Sequence, residues 1–279
     1  MSFIAAIPFQ GLQGLRYLER TLEKQQTLLL NSVTHSRDTK YFQDNISKVK
    51  TTEDLMSDRR LLRVALKAFG LHDDMSKTFF IKKILSSDTE DKKSLANRLS
   101  DKRYEKITKA FGFGDSNFPE GKTSETGFAE KIIKLYREAQ FEVAIGQQDN
   151  DLRLALNAKR TLTTLLSEKT DEKGQEKSEN YFWYQVFGDK PLRTVFETSL
   201  GLPKSIGKLD LEAQITHFKS AFSRNFQGIK LNDFDQPEML DRLVERFLIR
   251  QQLVQSASTS SASIALMLLT GDTGANTQL

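Results

Sequence analysis

Five basic side chains stand out for the chemistry they could do: Arg59, Arg60 and Arg63, then Lys102 and Arg103, with Tyr104 beside them. Grouped guanidinium and ammonium groups hold phosphate or carboxylate through charge-assisted hydrogen bonds. These five lie in a region, residues 37–113, with 18 basic and 12 acidic side chains, whereas the rest of the chain has 23 and 25. The basic excess is therefore local. One reading is an anion- or partner-binding face, extending to a nucleic-acid-binding regulator built on this region. The other is an ion-pair network with Asp58, Asp101 and Glu53, because carboxylates are interleaved with the cations. Both readings stand at this point.

Other chemistry finds less support. The chain has no cysteine, so thiolate metal sites and cysteine nucleophiles are excluded. His35, His72 and His217 are far apart and none stands in HExxH spacing. His72 precedes Asp73 and Asp74, a grouping better explained as acidic charge at a helix start than as a metal site. The DTED run at 88–91 lacks a calcium loop's glycine, since Lys93 holds the sixth position. Neither a phosphate-binding glycine loop nor a GxSxG elbow occurs. No catalytic residue, metal or cofactor is expected, and a non-enzymatic role follows. The aromatic run Tyr181, Phe182, Trp183 and Tyr184 could stack on a ligand, but alternation across a helix seam suits it better, with Trp183 in the core.

The elements that must position these residues read as helices nearly throughout. Leu15, Leu18, Leu22 and Leu29 set a first helix over 12–30. Tyr41, Phe42, Ile46 and Val49 set a short second one. Thr52 can cap a helix through Leu55, Leu62, Leu66 and Phe69. Further helices are expected over 74–86, 94–99 and 101–111, then from Ser124 through Ile145, and through Leu152 to Leu166. The last third adds Tyr181–Phe187, a helix from Asp189 to Leu200, one from Asp210, and one capped by Asp235 that ends near Val254. The Ser/Ala-rich tail holds one apolar patch, Ile264–Leu269.

An internal echo links the basic clusters to their helices. SDRR at 57–60 and SDKR at 100–103 each lead into a helix ending KAFG, at Gly70 and Gly112. The copies differ by one residue between SD and KAFG, which turns the helix face by about 100°. A weaker copy ends at Gly201. These three glycines are expected to take the left-handed conformation that stops a helix, and Leu71 to close over the first. Their unequal spacing argues against a solenoid. The expected fold is all-α: a multihelical array with a reused helix-and-glycine-stop element.

The chain is 279 residues long, 38 % hydrophobic and 28 % charged, a globular balance. We expect one compact domain over 1–279, with possible halves 1–166 and 180–279 joined by a polar, mobile loop at 167–179. No apolar run approaches the roughly 20 residues of a membrane span. No basic region precedes an apolar one at the start, so no cleaved secretory signal is expected.

Val49–Phe113, with DLMSDRRLLRVALKAFGL and SLANRLSDKRYEKITKAFGFG, resembles a bacterial family catalogued as domain of unknown function 1217. The stretch YREAQFEVAIGQQDNDLRLALNAKR at 136–160, FETSLGLP at 196–203 and LDLEAQ at 209–214 are similar to the same family. The resemblance implies an all-helical protein without an assigned activity, from α-proteobacteria, where members stand beside flagellar genes. It implies a structural or accessory protein acting through helix–helix contacts. The partner would be a flagellar component or a second copy of the chain, met through the N-terminal helix and the tail patch. The expected place is the cytoplasm, or export without a cleaved signal as part of the flagellar apparatus.

Overall fold

Local signals start and stop most of the helices seen in a computed structural model. It describes residues 3–167, 170, 176–227 and 236–270, with side chains of the final helix to residue 256. Helix α1 spans Gly11–Asn31 and α2 Val33–Asn45, followed by a single 3-10 turn at Ile46–Lys48. Helices α3 (Thr52–Ser57) and α4 (Arg59–Ala68) come next. The sequence suggested one continuous helix here, capped by Thr52. Instead Thr51 caps α3 in a reciprocal box with Asp54. Asp58 then breaks the run, because its carboxylate accepts from the Arg60 and Leu61 amides and restarts the chain as the N-cap of α4.

A 3-10 turn at His72–Ser76 leads to α5 (Thr78–Leu85), so the helix expected over 74–86 begins later. Then come α6 (Leu95–Arg98) and α7 (Lys102–Phe111). Helix α8 (Phe128–Gly146) starts after Gly127 rather than at Ser124, because residues 122–127 are spent in turns. Helices α9 (Asn150–Ser167), α10 (Glu179–Gly188), α11 (Lys190–Leu200), α12 (Leu211–Asn225) and α13 (Pro237–Thr270) complete the array. Helix α13 continues past Val254, where the sequence suggested its end. The Asp235 cap and most of the 167–179 loop lie outside the described residues, as do the side chains of Ile264–Leu269. The fold is all-α, and no sheet occurs among the described residues.

The apolar packing forms two cores. The first joins α1, the second half of α8 and α9 to α13, with Leu18, Phe141, Leu162, Trp183, Phe196 and Phe247 fully enclosed. The second joins α2 to α7 and the first half of α8, with Phe42, Leu66, Ile84, Phe111 and Tyr136 enclosed. Helix α8 carries Ile132 and Tyr136 into one core and Phe141 and Ile145 into the other. The division in packing therefore falls inside α8 and between α1 and α2.

The echoed element behaves as one unit with two endings. Asp58 and Asp101 are the N-caps of α4 and α7, and both helices are 10 residues long. The one-residue difference is absorbed at the stop. Helix α4 closes in a Schellman turn, with Leu71 N–H on the Leu66 carbonyl at 2.8 Å and Gly70 N–H on Lys67 at 3.2 Å. Helix α7 closes with the simpler bond from Gly112 N–H to the Thr108 carbonyl at 2.8 Å. Gly70, Gly112 and Gly201 have φ of 69°, 65° and 69°. Leu71 is buried over the turn it closes. Gly70→Ala meets only ordinary contacts, so its cost is backbone strain, about 1 kcal/mol. Gly201→Ala also meets the Arg250 guanidinium, the far end of a flexible side chain that can move aside, and is expected to cost about as much, ~1 kcal/mol. Chemical denaturation of the two variants checks the loss.

Candidate basic site

The five candidate cations are not one patch. Arg60 and Arg63 stand one turn apart at the start of α4, and Arg103 reaches the other end of that helix, where it donates to the Gly70 carbonyl. Gly70 lies ten positions after Arg60, about 15 Å at the helical rise.

Most of the five also have partners. Arg103 grips Asp101 through Nε and Nη2, with Nη2 at 2.7 Å, and that hydrogen-bonded carboxylate holds the guanidinium charged. Lys102 pairs with Glu105 at 2.9 Å. Arg60 Nε meets Asp38 at 3.1 Å, its Nη2 donates to the Arg37 carbonyl at 2.7 Å, and its guanidinium covers the Tyr41 ring at 4.4 Å. Arg63 Nη2 lies 3.3 Å from the same Asp38 carboxylate. Arg59 alone is exposed with no ion pair among the described residues. The expected acids are used differently. Asp101 is an ion-pair partner, Asp58 caps α4 and accepts from Tyr41 at 2.8 Å, and Glu53 pairs with Lys82.

Asp38 is the residue that sequence reasoning missed. It is buried on α2, on the face that also carries His35 and Phe42, and it meets the Arg60–Arg63–Lys67 stripe of α4. The legible signal was an acid at i+3 from a histidine and four residues before a core phenylalanine, on the inward face of an amphipathic helix.

Helix α8 closes this junction. Tyr136 is fully buried, and its Oη lies 2.9 Å from His35 Nδ1. Burial and the nearby Asp38 charge push the Tyr136 phenol up, so it stays protonated. Burial, with help from Lys67, pushes the His35 imidazole below its ordinary value. The His35 Nδ1 and the Tyr136 hydroxyl share one hydrogen bond, and burial favours the neutral imidazole there. Lys67 is half-buried one turn beyond Arg63 and has no ion pair among the described residues. Burial, then the Arg63 charge, lowers its pKa.

This arrangement sets a pH dependence. The depressed His35 value makes its stabilising contribution complete above the ordinary imidazole pKa of 6.5 and lost as pH falls through the folded value. His35→Gln keeps an acceptor for Tyr136 but does not titrate. The thermal midpoint of the native chain should therefore fall more between pH 7 and pH 5 than that of His35→Gln. Parallel midpoint curves would remove this role.

The remaining candidates are structural. His72 pairs with Asp73 at 3.2 Å, while Asp74 accepts from Tyr104 at 2.6 Å and from Lys77 at 2.8 Å. No group of three or more histidine or acidic side chains could hold a metal among the described residues. No described helix is long and apolar enough to cross a membrane. Phe182 and Trp183 are both buried, Tyr181 is half-buried, and Tyr184 is exposed and donates to Glu212 at 2.6 Å, so the run turns its middle pair to the core rather than alternating.

A family profile described as "Protein of unknown function (DUF1217)" matches residues 68–240. The crystal structure of protein AGR_C_984 from Agrobacterium tumefaciens is similar, with a TM-score of 0.70 and 26 % identity. The likeness covers 89 % of this chain and 98 % of that one. No curated protein matches the chain.

Proposed function

The chain belongs to the DUF1217 family, and from that membership we propose a non-enzymatic structural or accessory protein of the bacterial flagellar system that works by helix–helix contact with another protein. One observation carries the contact. Leu240, Leu243, Val244 and Phe247 form the buried stripe of α13. Val254 continues that stripe seven residues after Phe247, yet it is 61 % exposed. Ile249 and Leu253, one turn apart on the opposite side of the helix, are 50 % and 64 % exposed. The apolar residues of α13 thus run on past the core on both sides of the helix. Apolar side chains at these spacings are what a partner helix or groove takes up. The flagellar assignment rests on the genes that accompany the family this sequence resembles.

The test is capture from the source cell with the full chain as bait, scored for flagellar components. Leu253→Glu with Val254→Glu should leave the thermal midpoint unchanged, because both side chains face water, and should reduce recovery of those components at least tenfold. Equal recovery by native and variant chains would overturn the helix contact. Recovery of nucleic acid without flagellar components would overturn the assignment.

A further inference from the structure

Helix α13 carries a ladder of cations away from its core side. Arg242, Arg246 and Arg250 recur every fourth residue, so they follow one another at about 6 Å along the helix. The Arg242 and Arg246 guanidiniums lie 6.0 and 5.7 Å from the centroid of the same buried Phe226 ring, and Arg246 Nη2 donates to Asn225 at the end of α12. The Arg250 guanidinium lies over Gly201 at the end of α11. None of the three makes an ion pair among the described residues. The acids around them are spent or set aside. Asp241 pairs with Lys159, Glu245 with Arg16 and Glu197 of α11 with Arg193. Glu238 is exposed one turn before Arg242 and makes no ion pair with it. Arg246 Nε is buried with no hydrogen-bond partner. Burial, then the charges of Arg250 and Arg242, pushes the Arg246 guanidinium below its ordinary value. Ile249 follows Arg242 by seven residues and Leu253 follows Arg246 by seven, two turns in each case. The two exposed apolar side chains therefore share the arginine side of the helix.

We propose that this side of α13 receives an acidic amphipathic helix of a partner protein, with carboxylates one turn apart over Arg242, Arg246 and Arg250 and apolar side chains over Ile249 and Leu253. This partner chemistry rests on the α13 contact proposed above. Charge complementarity carries it. Guanidiniums take carboxylates in bidentate pairs, and acids at every fourth position of a second helix repeat with the same rise of about 6 Å. Like charges held side by side repel until opposite charges cover them, so the ladder selects the partner and fixes its register. A nucleic acid backbone brings the charge but no apolar side chain for Ile249 and Leu253. A flat anionic bilayer would also meet the carboxylates of Glu238, Asp241 and Glu245, which flank the strip. A helix about 10 Å wide covers the strip alone.

The probe is a labelled synthetic helical peptide with glutamates at three successive fourth positions and leucines one turn beyond them at either end. Its binding to the full chain is read by fluorescence anisotropy at fixed ionic strength. The native chain should bind it, and a peptide with glutamine at the three positions should bind at least tenfold more weakly. Arg242→Gln with Arg250→Gln should weaken the glutamate peptide at least tenfold. Arg59→Gln removes an exposed charge elsewhere and should change it less than twofold. Arg242→Lys with Arg250→Lys keeps the charges and should stay within threefold of the native chain, which tells lost charge from lost packing. Equal binding of the two peptides, or no binding of the glutamate peptide at millimolar concentration, would overturn the acidic partner. So would tighter binding of duplex DNA or of phosphatidylserine vesicles than of the glutamate peptide. Capture from the source cell separates the two proposals. If Arg242→Gln with Arg250→Gln leaves recovery of flagellar components unchanged while Leu253→Glu with Val254→Glu abolishes it, the helix contact stands and the acidic partner falls.

Discussion

Trp183→Ala should cost about 3–5 kcal/mol, the largest effect of any single truncation expected here. Trp183 is fully buried. It stands edge-on to Phe196, Phe218 and Phe222 at centroid distances of 5.7, 6.2 and 5.6 Å. It therefore ties α10 to α11 and α12 at one point. Its indole N–H is not wasted, since it donates to Glu179 at 3.1 Å one turn earlier on the same helix. Truncation removes the ring from three neighbours at once, and interiors packed this closely relax only in part. Trp183→Phe keeps most of the apolar surface and loses the hydrogen bond, so it should cost much less. Denaturant titration of both variants checks the order. A Trp183→Ala chain as stable as the native one would show that this seam does not hold the first core together.

Asp38→Asn is the second large effect, and it tests the other core. The carboxylate is buried at the junction of α2 and α4, and it is the acid shared by Arg60 and Arg63. Breaking a buried pair from one side typically costs about 3–5 kcal/mol. Here the arginine side chains are 36 % and 44 % exposed, so water takes up part of the loss. About 2 kcal/mol is expected after that discount. Glu53→Gln is the comparison, because Glu53 and Lys82 pair in the open and should contribute little. A double variant, Asp38→Asn with Arg63→Gln, should lose less than the sum of the single losses, as two groups in one network do. If Asp38→Asn costs no more than Glu53→Gln, the junction is not organised around this acid.

The two residues differ in how legible they were. The aromatic run Tyr181 to Tyr184 already marks Trp183 as a core residue, since aromatic burial and helical spacing are local properties. The same holds for Gly70, Gly112 and Gly201. A left-handed stop is decided by a few consecutive residues, and SD followed by KAFG carries both the cap and the stop in one short string. The break at Asp58 was local too, but it was hidden. The apolar spacing of Leu55, Leu62 and Leu66 runs straight through it, and only the competition of the Asp58 side chain for the next amides shows the interruption.

What the sequence determined by itself is the class of fold, the helices and most of their ends, because each depends on periodicity and on side-chain chemistry within a few residues. What the tertiary structure decided is which charges meet. Asp38 lies 22 residues from Arg60 and 25 from Arg63, and Tyr136 lies 101 residues from His35. No local pattern links them, since electrostatic pairing depends on distance in space. Packing α2 on α4 joined Arg60 and Arg63 to one acid and turned Asp38 into a buried counter-ion, whereas Lys102 and Arg103 pair locally with Glu105 and Asp101. Tertiary packing also carried α13 past the end of its own core.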